Sequence, residues 1–155
     1  MPPMRRGAVA SPDSIRHAGP MPPVSRTRSQ PAARVLIIDQ DRRVRRDLAG
    51  LISLRPGLKV VGTAGDPAAA VEAVRAERPD VVLIDPRLPD VDAGFAVMAV
   101  MRARWPGTRF VVMSHVGGLE DLALARGADA FVAKSGEHMV LLDAIAGSPG
   151  RRPAS

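Results

Sequence analysis

The chain has no cysteine and no tyrosine, and its 155 residues include one tryptophan and three phenylalanines. Without cysteine there is no disulfide framework and no thiolate metal site, which suits a cytoplasmic setting. With so few rings, the core must be built from valine, leucine, isoleucine, alanine and methionine. No apolar stretch approaches the ~20 residues of a membrane span. The N-terminus also lacks the apolar segment of ~7–15 residues that marks a secretory signal. No membrane partner is expected.

A surplus of one charge is present, at +6 overall, but it is unevenly placed. Residues 1–34 carry six arginines (5, 6, 16, 26, 28 and 34) against Asp13, and Arg151 and Arg152 lie near the C-terminus. Between 35 and 146 there are 14 basic and 15 acidic residues, so that stretch is close to neutral. A domain of this kind does not steer nucleic acid, and no direct DNA binding is expected.

The same division appears in composition. Residues 1–33 form a basic Pro/Arg-rich tail without apolar periodicity; seven of the fifteen prolines fall by residue 34. Such a segment buries too little surface to offset its ordering entropy and is expected to be disordered and dispensable for folding. Its alternatives are a leader without function, an overextended gene model with Met4 or Met21 as later starts, or an electrostatic docking arm. Residues 147–155 form a second such tail.

Between them, strand and helix alternate five times. Short apolar runs end in a polar residue: Val35-Leu36-Ile37-Ile38 in Asp39, Val81-Val82-Leu83-Ile84 in Asp85, Phe110-Val111-Val112-Met113 in Ser114, and Phe131-Val132-Ala133 in Lys134. Runs of this kind predict parallel strands buried on both faces. A further strand is predicted over Leu58–Ala64. Helices are predicted over Asp41–Leu54, from Asp66 (N-cap, with Pro67 at the first helical position) to about Arg78, from after Asp92 to about Arg104, from about Leu119 to Arg126 with Gly127 as cap, and from about Glu137 to Ala146. The fold class is α/β, a doubly wound (βα)5 flavodoxin-like three-layer sandwich over residues 34–146. Open sheets of this class build their sites at the carboxyl ends of the strands. Two carboxylates, a hydroxyl and an ammonium at one sheet edge suit a divalent cation and a phosphoryl group.

These residues resemble the receiver domain of bacterial two-component response regulators. The phrases that carry the resemblance are Arg34 to Asp39, Arg78-Pro79-Asp80 through Asp85 with Leu88-Pro89 following, and Gly127-Ala128-Asp129-Ala130-Phe131 through Lys134. The resemblance implies that Asp85 is the phosphoacceptor, forming an aspartyl phosphate. It implies a Mg2+ site made by Asp39, Asp85 and the backbone carbonyl of Arg87, with Gln40 or Asp41 as further candidates. Ser114 and Lys134 would bind the phosphoryl group, and Ser114 with Phe131 would form the conformational switch. The implied partners are a sensor histidine kinase or phosphotransfer protein and a downstream protein, with a homodimer through the fourth helix as a further candidate. The phrasing around Leu54–Gly62 resembles receivers of LuxR-type regulators, but no helix-turn-helix segment follows, so a stand-alone receiver without enzymatic activity is expected.

Several positions depart from the family pattern. Gln40 stands where a second acidic residue is usual; its amide brings no charge, so cation affinity should fall. Asp41 would compensate only by turning inward, and it is expected instead to cap a helix. Pro86 removes a backbone donor directly after the acceptor. His115 follows Ser114 where a small residue is usual and is expected to crowd the phosphoryl entrance. Ala93 replaces a usual glycine, with Gly94 beside it. The fourth helix should be short or shifted, and Ser135 takes the place of a frequent proline.

Two other readings stay open. One is a receiver-like docking module that works without phosphorylation, supported by Gln40 and His115. The other is a phosphatase, because Asp39-Gln40-Asp41 superficially matches the Asp-x-Asp start of haloacid-dehalogenase-type enzymes. Those continue with Gly-Thr, whereas Arg42-Arg43 follows here.

Overall fold

The computed structural model describes residues 30–147, and the two tails expected at 1–33 and 147–155 lie almost wholly outside them. Five strands alternate with five helices, numbered here over the described residues: β1 (Ala33–Ile38), α1 (Arg42–Ser53), β2 (Leu58–Ala64), α2 (Pro67–Glu77), β3 (Val81–Ile84), α3 (Val91–Arg104), β4 (Arg109–Ser114), α4 (Glu120–Ala125), β5 (Ala130–Ala133) and α5 (His138–Ala146). All strands are parallel in one sheet of order β2-β1-β3-β4-β5. This is the expected flavodoxin-like sandwich. Strand β1 starts at Ala33, whose N–H donates to the Gly57 carbonyl at 2.8 Å, one residue ahead of the expected boundary.

The continuous apolar runs follow from burial on both faces. Leu36, Ile38, Val82, Ile84, Phe110 and Val112 face one core with Val74, Phe95, Met98 and Met101 of α2 and α3. Their neighbours Val35, Ile37, Val81, Leu83, Val111 and Met113 face the other, with Leu48 and Ile52 of α1 and Leu141 and Ile145 of α5. A period of two along each strand thus divides the side chains between the layers.

Local chemistry sets the helix ends. Asp41, Asp66 and Asp90 each sit in extended backbone and accept from N–H groups of the first turn, those of Arg43, Ala69 and Ala93. These bonds occupy donors that the helix itself leaves unpaired. The fourth helix has six residues and no side-chain cap, in keeping with a short fourth helix. It ends at Gly127, with φ of 101°, where Ala128 N–H bonds the Ala123 carbonyl and Gly127 N–H that of Leu124. That paired closure needs a left-handed residue, hence glycine.

One glycine is present for proximity. A Cβ on Gly94 would lie 1.6 Å from the Pro86 carbonyl oxygen, so α3 packs backbone against backbone behind the loop that follows β3. The role of Gly94 in the fold is therefore close approach.

Candidate functional site

Sheet order reverses between β1 and β3, the place where an open α/β sheet leaves a crevice at its carboxyl edge. Register brings the two strand ends there level: Ile38 pairs with Ile84, and Asp85 N–H donates to the Ile38 carbonyl at 2.9 Å. Asp39 and Asp85 are therefore neighbours across the strand pair. One strand further, Ser114 pairs with Ala133, and Lys134 N–H donates to the Ser114 carbonyl at 3.0 Å. Lys134 begins two strands from Asp85, roughly 10 Å away at ordinary strand spacing. Its four-carbon stem spans that gap.

The ammonium lies between the carboxylates. Lys134 Nζ donates to Asp39 Oδ2 and to Asp85 Oδ2, each at 2.6 Å. The other oxygen of each carboxylate accepts from the backbone two residues on, Asp39 Oδ1 from Asp41 N–H and Asp85 Oδ1 from Arg87 N–H, each at 2.9 Å. Such turns fix both carboxylate planes. Pro86 cannot donate, so Arg87 offers the nearest following N–H to Asp85. Burial sets these groups apart: among the described residues, the buried polar or charged ones are Asp39, Asp85, Ser114 and Thr108, of which Thr108 is explained by its bond to the Pro79 carbonyl. Burial alone would lower the pKa of Lys134, but its hydrogen bonds to Asp39 and Asp85, and their charges, outweigh it and leave the ammonium raised above its ordinary value.

Ser114 Oγ accepts from Val116 N–H at 3.0 Å. Phe131 is half-buried and packs against the α2–α3–α4 core, the side of the sheet that Val112 also faces. Its strand register sets it beside Val112, two residues before Ser114, so the two expected switch residues share one face. His115 is exposed and borders a cavity of about 440 Å³ on the α1 and α5 side, with Val44, Leu48 and His138 among its lining.

Of the two further cation candidates, Asp41 takes the expected capping role and Gln40 a different one. Asp41 does not turn inward: its carboxylate caps α1 by accepting from Arg43 N–H at 2.8 Å. Gln40 acts as a donor; its Nε2 bonds the Arg87 carbonyl and, at 3.0 Å, the Pro89 carbonyl. Arg45 was missed. Its Nη1 donates to the carbonyls of Asp39 at 2.6 Å and Gln40 at 3.1 Å, pinning the turn that carries both. It also passes so close to Gly65 that a Cβ there would lie 2.6 Å from Nη1. No local pattern separates Arg45 from Arg42, Arg43 and Arg46 beside it.

The chain matches the family model described as the response regulator receiver domain over residues 35–146. It belongs to that family. Among curated proteins, the receiver is 35% identical over 114 residues to the DNA-binding transcriptional activator DevR/DosR of Mycobacterium tuberculosis, covering 72% of this chain and 52% of that protein. It is 41% identical over 73 residues to a protein-glutamate methylesterase/protein-glutamine glutaminase of Anaeromyxobacter dehalogenans, covering 47% of this chain and 20% of that one. The chain thus spans about half or less of the length of these relatives. Among solved structures, the signal receiver domain of the putative response regulator NarL from M. tuberculosis superposes with a TM-score of 0.67 at 32% identity, covering 75% of this chain and 94% of that one. Among the described residues, no helix is long and apolar enough to cross a membrane.

As a cation seat, this receiver offers hard oxygens of the right kind. Two carboxylates converge on one positive charge, that of Lys134. The third oxygen of the implied set, the Arg87 carbonyl, lies two residues after Asp85 and is engaged by Gln40. The donor chemistry fits a small divalent cation.

Proposed function

We propose that this receiver accepts a phosphoryl group on Asp85 from a histidine kinase or phosphotransfer protein and passes the signal to a partner protein as a single-domain response regulator, without an enzymatic activity of its own. The observation that carries this reading is the convergence of Asp39 and Asp85 on Lys134 Nζ, at 2.6 Å each, at the point where the sheet order reverses. In the transfer, a carboxylate oxygen of Asp85 forms a bond to phosphorus while the bond from phosphorus to the donor breaks. Asp39, Asp85 and the Arg87 carbonyl would hold Mg2+, which when bound neutralises charge on the phosphoryl oxygens.

The protein's own part is positioning. Asp41 and Arg87 N–H groups orient the carboxylates, and Lys134 exchanges its bond to Asp85 for one to the phosphoryl group. Ser114 exchanges its bond from Val116 N–H for a bond to a phosphoryl oxygen, and its movement frees space on the face shared with Phe131. Charge-assisted bonds to phosphate are worth roughly 1.5–3 kcal/mol each, enough to bias two conformations a few kcal/mol apart.

Incubation with acetyl phosphate and Mg2+ should add one acid-stable, base-labile phosphoryl group, seen as a shifted band on a Phos-tag gel. The shift should vanish in Asp85→Asn. Its persistence in that variant would move the acceptor elsewhere. An unmodified wild type that still binds its partner would favour the second reading, a docking module independent of phosphorylation; the engagement of the Arg87 carbonyl by Gln40 supports it.

A further inference from the structure

Gln40 is more than a missing charge. Its amide bridges two walls of the site that are separately braced. On one side, the β1–α1 turn is held by the Asp41 N–H bond to Asp39 Oδ1 and by Arg45 Nη1 on the carbonyls of Asp39 and Gln40. On the other, the segment after the acceptor is held by Arg87 N–H on Asp85 Oδ1 and by Leu88 N–H on the Asp90 carbonyl at 3.2 Å. Between them, Gln40 Nε2 donates to the carbonyls of Arg87 and Pro89. The orientation of the amide follows from its partners. Two carbonyl oxygens can only be met by the nitrogen end, since the oxygen end would repel both.

A divalent cation shared by Asp39 and Asp85 would draw on the Arg87 carbonyl as its next hard oxygen. An amide N–H aimed at that oxygen brings partial positive charge to the same place. The two cannot both hold it well. We propose that Gln40 is a latch that competes with the divalent cation for the carbonyl of Arg87, holding the 87–89 segment to the β1–α1 turn until the cation displaces it. Cation loading is then coupled to release of this segment, which leads directly into Asp90, the N-cap of α3. The inference rests on the reading of Asp39 and Asp85 as a cation-assisted phosphoryl site, and it assigns Gln40 as a positioning residue rather than a ligand.

The test separates competition from charge deficit. Mg2+ alone is titrated into the full chain as wild type, Gln40→Ala and Gln40→Asp, followed by calorimetry and by the backbone amide resonances of Arg87, Leu88 and Asp90. Alanine adds no charge and offers no ligand, so charge deficit alone leaves its affinity at the wild-type level. Competition instead makes Gln40→Ala bind Mg2+ about threefold to tenfold tighter than wild type, the net worth of one neutral hydrogen bond or slightly more. Without Mg2+, the same variant should shift the Arg87 and Leu88 amides. Gln40 is exposed, so the variant should keep the wild-type urea midpoint closely enough to be compared. Affinity equal to or weaker than wild type in Gln40→Ala, with Gln40→Asp binding well, would overturn the latch and leave the cation site standing. Absence of Mg2+ binding in Gln40→Asp as well would overturn the cation site itself.

Discussion

Replacing Lys134 with alanine removes the ammonium that stands 2.6 Å from one oxygen of Asp39 and 2.6 Å from one of Asp85. The side chains of this trio are 8%, 4% and 9% exposed, which places them with buried rather than surface ion pairs. An exposed pair is worth about 0–1 kcal/mol. Removing one partner of a buried pair costs about 3–5 kcal/mol, because the remaining charge is left without compensation. Here two like charges are left facing each other. Water entering the vacated stem volume offsets part of this, so the lower end, about 3 kcal/mol, is expected. Against a typical total of about 5–15 kcal/mol that is a large share. Urea unfolding followed by the fluorescence of the single tryptophan, the buried Trp105, reads it directly. With a slope of about 2 kcal/mol per molar, the midpoint should fall by about 1.5 M. In an Asp39→Asn, Asp85→Asn background the same substitution should cost less than about 1 kcal/mol, since no charge is stranded. A loss below about 1 kcal/mol in the parent protein, or an equal loss in both backgrounds, would refute the reasoning.

Two further expectations concern packing and pH. Gly94→Ala places a Cβ 1.6 Å from the Pro86 carbonyl oxygen and should cost about 2–3 kcal/mol despite better helix propensity, whereas Gly50→Ala, with nothing within 4 Å, should gain about 0.5–1 kcal/mol; paired urea curves check both. The pKa of Lys134 is raised on folding, so its contribution is fully present below the ordinary value of 10.5 and is lost as pH rises through the higher folded value. Alkaline unfolding curves of wild type should therefore lose stability above that pH by a component that Lys134→Met lacks, and parallel curves would count against it.

How much of this was legible beforehand can be traced residue by residue. Asp39, Asp85, Ser114 and Lys134 could be located because each ends an apolar run, and a doubly wound sheet collects such ends on one edge. Asp41 and Asp66 could be read as caps because capping acts within a few residues of chain. The Gly127 closure is local for the same reason. What the tertiary structure decided depends on segments far apart in sequence. Gln40 meets Arg87 and Pro89 across more than forty residues, and only the β1–β3 register brings its amide to their carbonyls, turning a cation candidate into a donor. Arg45 is one arginine among four until the β1–α1 turn presents two carbonyls to it. Gly94 looks like any helical glycine until α3 lies against Pro86. Residue type and local spacing carry the chemistry available to a site. Which donors remain free to use it is set by non-local backbone approach, and that is a property of the packed fold.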